Sequence, residues 1–196
     1  MIILADNDII HKLTCCDLLL EFIEWLESPP NEIWVLPELK YKIRRLLNSN
    51  AQALERFNLF VVNNTKVVPE ASVDNLNKFA SLDVGEQKLL AVFIECTESA
   101  RFVTGDKRAL KDIAKLANKD LELQQSLTDK VDCLEKIMLG LVEKFGFSAI
   151  NTKVCASEIG DGVLKMAFGR DENHAKDALK SYLLDLKESA SFITSI

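Results

Sequence analysis

The chain has 196 residues, of which 48% are hydrophobic and 28% charged, values typical of a soluble globular protein with a sizeable core. Its net charge of −6 argues against a protein that coats nucleic acid through bulk positive charge, although local basic patches stay open. No apolar run reaches the ~20 residues that cross a bilayer. The chain also opens on MIILAD without a charged leader, so we expect a cytoplasmic protein with no membrane contact.

The cysteines lack the pairwise spacing of a zinc site, and two of them are adjacent within a helical pattern. We therefore expect reduced thiols in the core. The residues concerned are Cys15, Cys16, Cys96, Cys133 and Cys155.

Apolar runs and helical periodicities alternate along the first part of the chain. Met1 to Ala5 is a continuous apolar run that ends at Asp6, which predicts a central parallel strand buried on both faces. Asp8 then predicts the N-cap of a helix that runs to about Leu26, with Leu20 on its apolar face. The later predictions are a strand at Ile33 to Leu36, a helix opening at Pro37, a strand at Leu59 to Val62, a weak helix at Glu70 to Ala80, a helix capped by Asp83, a strand at Phe102 to Thr104, and a helix with Leu110, Ile113 and Ala117 facing inward.

Beyond Leu121 the pattern becomes mostly helical. Val131 to Leu134 fits either a short last strand or the start of a helix that continues to Phe145, and periodicity leaves both open. Two further helical patterns follow, roughly at Ser148 to Phe168 and at Glu172 to Ser189.

The order of these elements predicts an α/β fold. We expect a three-layer α/β/α domain over residues 1–146 with a central, mostly parallel sheet. Residues 147–196 are expected to form a helical extension that packs on this domain or on a partner.

Acidic residues follow two of the predicted strands directly. Asp6 comes after MIILA and Asp106 after FVTG, and ligands of parallel α/β sheets bind outside the carboxyl ends of the strands. Glu86 begins a helix in the same half of the sheet. If these acids converge, their negative charge requires cations, and Mg²⁺ or Mn²⁺ suits carboxylate oxygens best.

Each of these acids also has a structural explanation. Asp83 and Glu86 have the spacing of a capping box, and Asp106 and Asp8 can each cap a following helix. Asp112 lies opposite the apolar face of its helix, which indicates a surface charge. The placement of Asp6 and Asp106 at strand ends favours function for the set as a whole.

Four segments, in order, resemble the successive motifs of PIN-domain nucleases: MIILADND, WVLPELKYKI, LDVGEQKLLA and FVTGDKRALK. The resemblance covers roughly Met1 to Phe145. It implies a PIN-like fold and a metal-dependent nuclease, usually a ribonuclease, with Asp6, Glu86 and Asp106 as catalytic metal ligands. The family often has a glutamate in its second helix where this chain has Ile43 and Arg44, and Asp8 is the candidate that would supply the missing metal-binding oxygen.

Two groups of basic residues are candidates for binding the phosphates of a nucleic acid, although such rows are more often solvated helix faces. One group follows Asp106 and the other follows the second strand. The residues are Lys107, Arg108 and Lys111 in the first group and Lys40 and Arg44 in the second. His11 and His174 have no recognisable serine or cysteine partner, so a nucleophile triad has no support.

Two alternative functions remain open. Asp6, Asn7 and Asp8 after an apolar strand, with Gly105 and Asp106 later, also resemble the motifs of a haloacid-dehalogenase-type phosphatase in which Asp6 is the nucleophile. That interpretation leaves Glu86 without a role. The third interpretation is a catalytically inactive PIN-like scaffold, and the sequence also leaves open RNA or DNA as substrate, a homo-oligomer and an accompanying inhibitor protein.

Overall fold

Five short strands form one parallel sheet within residues 1–27, 32–96 and 100–193, which the computed structural model describes. The strand order is β3-β2-β1-β4-β5. The strands are β1 (Ile2–Ala5), β2 (Ile33–Val35), β3 (Thr65–Val67), β4 (Ala100–Thr104) and β5 (Val131–Cys133).

β1 is the middle strand, as the apolar run at the start of the chain predicts. Ile3, Leu4 and Ala5 have no exposed surface. β1 pairs with β2 on one side and with β4 on the other, where Ala5 lies opposite Val103. Burial on both faces explains why this strand is continuously apolar rather than alternating.

Helices cover both faces of the sheet, which confirms the predicted three-layer α/β/α architecture. Parallel crossovers are right-handed, so the helices of the β1–β2–β3 half and those that lead to β4 and β5 lie on opposite faces. The first half contains α1 (Asn7–Cys15), α2 (Leu19–Leu26), α3 (Leu39–Leu46) and α4 (Ala51–Asn64). The second contains α5 (Val73–Lys78), α6 (Val84–Glu95), α7 (Lys107–Ala117) and α8 (Leu121–Leu127).

The first predicted helix is divided into two. α1 begins at Asn7 with Asp6 in the N-cap position, so the predicted cap at Asp8 is wrong. α1 ends where Asp17 adopts a left-handed φ of 56°, and the N–H of Leu18 bonds to the carbonyl of Leu13 at 2.9 Å. This is the pattern of a Schellman C-cap, and aspartate tolerates it better than most residues. The break turns Leu20 outward, so its predicted inward position is also wrong.

The predicted strand at Leu59 to Val62 is wrong, because these residues lie within α4. Ala53, Phe57 and Phe60 are buried at helical spacing, whereas Leu59 is exposed. The side chain of Asn50 accepts a hydrogen bond from the N–H of Ala53 and so starts the helix. The third strand, β3, follows at Thr65 instead.

The last third of the chain resolves one ambiguity and corrects one prediction. Both alternatives at Val131 occur in succession, since β5 leads directly into α9 (Leu134–Phe145). The predicted helix at Ser148 to Phe168 is two helices, α10 (Phe147–Ala156) and α11 (Gly162–Ala167). The last helix, α12 (Glu172–Ser189), has the predicted bounds.

The C-terminal helices pack on the rest of the protein. α12 contacts α7, α9 and α11, and α10 contacts α9. Leu179, Leu183 and Leu186 of α12 are buried and belong to the same hydrophobic core as the sheet. A domain boundary after residue 146 stays a prediction.

The cysteine prediction holds only in part. All five cysteines are free, and Cys16 and Cys133 are buried in the core as expected. Cys155 is exposed, so the prediction of a core thiol is wrong for this residue. No helix in the described part of the chain is both long and apolar enough to cross a membrane.

Gly140 lets α9 pack against α2. A Cβ atom at this position would overlap the indole ring of Trp25, a rigid side chain that packs on the core. Gly140→Ala should therefore lower the free energy of unfolding by about 1–2 kcal/mol, because overpacking outweighs the gain in helix propensity. Urea denaturation measures this change. Gly160→Ala is the matched control, since a Cβ there meets open space, and equal stability of the two variants would contradict the packing argument.

Candidate functional site

Asp6 and Asp106 lie at the point where the strand order reverses. The chain proceeds from β1 outward to β2 and β3 on one side, and from β4 to β5 on the other. The carboxyl ends of β1 and β4 therefore border the crevice in which ligands of open α/β sheets bind. Asp6 directly follows β1, and its N–H bonds to the carbonyl of Val103 in β4 at 2.9 Å. Asp106 follows β4 after one glycine.

One buried hydroxyl connects the two acids. Thr104, the last residue of β4, has no exposed surface. Its Oγ1 donates to Oδ2 of Asp6 at 3.1 Å and accepts from the N–H of Asp106 at 3.1 Å. Thr104 thus orients the carboxylate of Asp6 and fixes the backbone that carries Asp106. No pattern in the sequence indicates a role for this residue, although it stands two positions before Asp106.

The negative charge of Asp6 lies in an unfavourable electrostatic environment. The pKa of Asp6 is raised to about 6, chiefly by burial; the hydrogen bond from Thr104 opposes the increase, and the nearby charges of Asp8 and Asp106 add to it. A carboxylate with a raised pKa is one whose negative charge is poorly solvated and poorly compensated. A bound cation would supply the missing compensation.

Asp106 also caps a helix. Its Oδ1 accepts hydrogen bonds from the N–H groups of Arg108 at 2.7 Å and Ala109 at 3.3 Å, at the start of α7. The structural explanation for Asp106, that it caps the following helix, is therefore correct. One carboxylate oxygen can cap the helix while the other faces a ligand, so the capping role does not compete with a functional one.

Glu86 lies within electrostatic range of both acids. Asp83 caps α6 by accepting hydrogen bonds from the N–H groups of Gly85 and Glu86 at 2.9 and 3.1 Å. Burial raises the pKa of Glu86 to about 7, and the charges of Asp83, Asp106 and Asp6 contribute. The structure therefore brings the three predicted catalytic carboxylates, Asp6, Glu86 and Asp106, to one end of the sheet.

Asp8 forms an ion pair with Lys12. Its Oδ2 lies 2.6 Å from Nζ of Lys12, which also lies 2.9 Å from Oδ2 of Asp161 and donates to the carbonyl of Gly105 at 3.1 Å. Burial lowers the pKa of Lys12, but its hydrogen bonds and charge interactions with Asp8 and Asp161 raise it above the ordinary value overall. Lys12 is therefore a fixed positive charge beside the candidate site.

Gly105 is required for this arrangement. A Cβ atom on Gly105 would lie 2.6 Å from Oδ2 of Asp8 and 3.3 Å from Nζ of Lys12. The glycine between β4 and Asp106 thus allows the backbone to approach the ion pair closely. Lys12 and Asp161 were not identified from the sequence, because Asp161 is far along the chain and no local pattern links the two.

The C-terminal helices form one wall of a cleft next to Asp8, Lys12 and the segment that follows β4. The cavity has a volume of about 510 Å³. Asp8, Lys12 and the segment after β4 line one side, and the start of α11 and Tyr182 of α12 line the other. Asp161 begins this second wall by capping α11 through its Oδ1, while its Oδ2 contacts Lys12. The predicted extension therefore contributes directly to the site.

The predicted phosphate-binding residues divide into two kinds. Lys107 and Arg108 line the cleft, but Nζ of Lys107 lies 3.0 Å from Oε1 of buried Glu135 and 4.4 Å from the ring centre of Tyr182. Lys107 is therefore largely committed to contacts within the protein, whereas Arg108 is exposed.

The other three candidates do not line the cleft. Lys40 and Lys111 are exposed, and Arg44 donates two hydrogen bonds to the side chain of Asn58 in α4. Their role in substrate binding stays a prediction. Asp112 pairs with Lys115 at the surface, which agrees with its expected role as a surface charge.

The carboxylates fit a loosely held divalent cation better than a closed metal cage. Within residues 1–27, 32–96 and 100–193, no three acidic, histidine or cysteine side chains are close enough together to hold a metal ion by themselves. Mg²⁺, however, keeps several waters and typically takes one or two carboxylates from the protein. Asn7, the residue after Asp6, has a buried amide oxygen without a hydrogen-bond partner in the described part of the chain, and such an oxygen suits a hard cation or one of its waters.

Comparisons with models of known protein families, with curated proteins and with solved structures gave no match. The class that the fold defines is a three-layer α/β protein with a parallel sheet. Its candidate site is a group of carboxylates at the switch point of that sheet, next to a lysine held by acids from both ends of the chain.

Proposed function

We propose that this protein is a divalent-metal-dependent nuclease that hydrolyses phosphodiester bonds, with RNA as its substrate. The observation that carries the proposal is the coupling of Asp6, Glu86 and Asp106 across the switch point, where burial and mutual repulsion raise the pKa of Asp6 and of Glu86. Such a group of acids is costly to the folded protein without a cation. The choice of RNA rests on the resemblance of the four sequence motifs to PIN-domain nucleases.

The chemistry would depend on Mg²⁺ or Mn²⁺ bound among Asp6, Glu86 and Asp106, directly by one or two of these carboxylates and through water by the rest. When bound, the ion supplies an activated water and stabilises negative charge on the phosphate oxygens. The protein's own residues would position the reaction. Thr104 holds Asp6 in place, Asp106 is fixed at the start of α7, and Arg108 in the cleft is available for a substrate phosphate.

The structure offers less support for the phosphatase alternative. In that mechanism Asp8 would act as the acid beside the nucleophile Asp6. Asp8 instead forms a close ion pair with Lys12, and Glu86 would again have no role. Trapping of a phosphate analogue on Asp6 would favour the phosphatase, whereas RNA cleavage without such an adduct favours the nuclease.

The test is cleavage of labelled RNA by the purified protein. We expect cleavage with Mg²⁺ or Mn²⁺ and none with EDTA, and loss of the metal-dependent cleavage in Asp106→Asn. Asparagine caps helices as well as aspartate does, so this variant keeps α7 intact and loses only the carboxylate charge. Asp112→Asn, a surface change on the same helix, is the matched control and should cleave like the wild type. Equal activity of all three proteins would contradict the proposal, and an inactive wild type would favour the inactive scaffold.

Single-stranded DNA of the same sequence, assayed in parallel, decides the choice of substrate. Preference for RNA supports the proposal as stated. Preference for DNA would retain the metal-dependent chemistry and overturn the choice of RNA.

A further inference from the structure

The ammonium group of Lys12 is enclosed by oxygens. Nζ of Lys12 lies 2.6 Å from Oδ2 of Asp8, 2.9 Å from Oδ2 of Asp161 and 3.1 Å from the carbonyl oxygen of Gly105. An ammonium group has three donors, so these contacts use all of them. The lysine side chain is only 15% exposed and that of Asp161 only 11%. We call Asp8, Asp161 and the Gly105 carbonyl the Lys12 cage.

We propose that the ammonium of Lys12 takes the place of a second divalent cation, so that the protein holds one metal ion rather than two. This inference rests on the proposed function, because it concerns the number of ions in that site. The donors of the Lys12 cage are two carboxylate oxygens and a carbonyl oxygen, which are the ligand types that hard cations prefer.

The position of the cage fits this role. Two-metal phosphodiesterases use a second positive charge near the first ion, where it stabilises charge that develops on the substrate. Nζ of Lys12 donates to the carbonyl of Gly105, the residue immediately before Asp106, and both Asp8 and Lys12 line the same cleft as Asp106. A fixed ammonium at this place supplies positive charge without the need to bind an ion.

The division of charge supports the same conclusion. Asp8 and Asp161 both pair with Lys12, so a divalent ion would take its one or two protein carboxylates from Asp6, Glu86 and Asp106. Asp8 is then a ligand of the lysine and not of the metal. This arrangement needs the C-terminal segment, because Asp161 at the start of α11 supplies one side of the cage.

Counting bound Mn²⁺ ions tests the inference. Equilibrium dialysis combined with the electron paramagnetic resonance signal of free Mn²⁺ gives the number of ions per protein, independently of activity. We expect one ion in the wild type and in Lys12→Arg, and two in Lys12→Ala, in which a short, uncharged side chain leaves the cage empty. The double variant Lys12→Ala/Asp161→Asn is the matched control and should return to one ion.

The outcomes separate this inference from the proposed function. One ion in both the wild type and Lys12→Ala overturns the inference alone, as do two ions in the wild type. No ion in the wild type overturns the proposed metal site and the inference with it. Because Lys12→Ala leaves two acids close together and can unfold, Asp8→Asn provides a second test in the presence of Lys12. We expect one ion in Asp8→Asn, and loss of the ion would identify Asp8 as a metal ligand and overturn the inference.

Discussion

Asp6→Asn should abolish metal-dependent cleavage and at the same time make the metal-free protein more stable. Activity should fall by roughly three orders of magnitude, the size typical when one member of a catalytic unit is removed. The free energy of unfolding at pH 8 in EDTA should rise by about 2–3 kcal/mol, because the variant no longer carries a charge whose pKa is raised from 3.8 to about 6. Asparagine can still accept the hydrogen bond from Thr104, so the local structure is kept.

The stability change has a defined pH dependence. Below pH 3.8, Asp6 is protonated in the folded and the unfolded protein, and its titration does not affect stability. Between 3.8 and about 6 the unfolded chain loses the proton first, so the wild type loses stability relative to Asp6→Asn as the pH rises. Above about 6 the difference is constant. Urea denaturation of both proteins at pH 4 and pH 8 in EDTA measures this window.

Two observations would contradict this prediction. One is an equal difference in stability at both pH values, which would mean that the charge of Asp6 is not the cause. The other is an equal stabilisation of the wild type and Asp6→Asn by saturating Mn²⁺, since a ligand stabilises only a protein that binds it. Asp112→Asn should behave like the wild type in every one of these measurements.

The parts of the fold that the sequence predicts are those with a strong local pattern. β1 is an apolar run that stops abruptly at the site, β4 contains the short apolar pair Phe102 and Val103 just before it, and α12 has a long, regular helical period that begins after Asp171, its N-cap. The order of these elements was sufficient for the three-layer architecture. Leu59 to Val62 was misassigned because a run of four apolar residues has too few turns to distinguish a buried helix from a strand.

The candidate site was predicted only as far as it is local. Asp6 and Asp106 follow directly from the strand ends, and Glu86 follows from the resemblance. Lys12 and Asp161, which meet in the Lys12 cage, are 149 positions apart in the sequence, and Lys107 pairs with Glu135 on a different helix. Contacts of this kind depend on how the helices pack, which no periodicity within one helix records.

The same packing changes how the basic residues should be tested. Reversing Lys107 to glutamate would place a second negative charge beside buried Glu135, so it would affect stability before it affected binding. Arg108 and Lys111 are exposed, so reversing their charge should affect stability less. They are therefore the better positions for charge reversal in measurements of RNA affinity and its salt dependence.

The other large expected effect is on the free energy of unfolding and concerns a buried ion cluster of Asp132, Arg101 and Lys136. Asp132 in β5 has no exposed surface, and Nε and Nη2 of Arg101 each donate to one of its oxygens at 2.7 Å. Nζ of Lys136 lies 2.8 Å from Oδ1 of the same carboxylate. Two cations thus contact one buried acid at the junction of β4 and β5.

Asp132→Ala should lower the free energy of unfolding by about 3 kcal/mol, because removal of one partner from a buried ion pair leaves the remaining charge poorly compensated. Asp112→Ala removes an acid from an exposed pair and should cost at most about 1 kcal/mol. Urea denaturation of both variants gives the comparison, and a difference between them of less than about 1 kcal/mol would contradict the assigned role of Asp132.

β4 ends at Thr104 and leads to Asp106, so weakening its pairing with β5 should also loosen the acids at the end of β4. Metal affinity in Asp132→Ala should therefore fall even though Asp132 itself lies outside the proposed metal site.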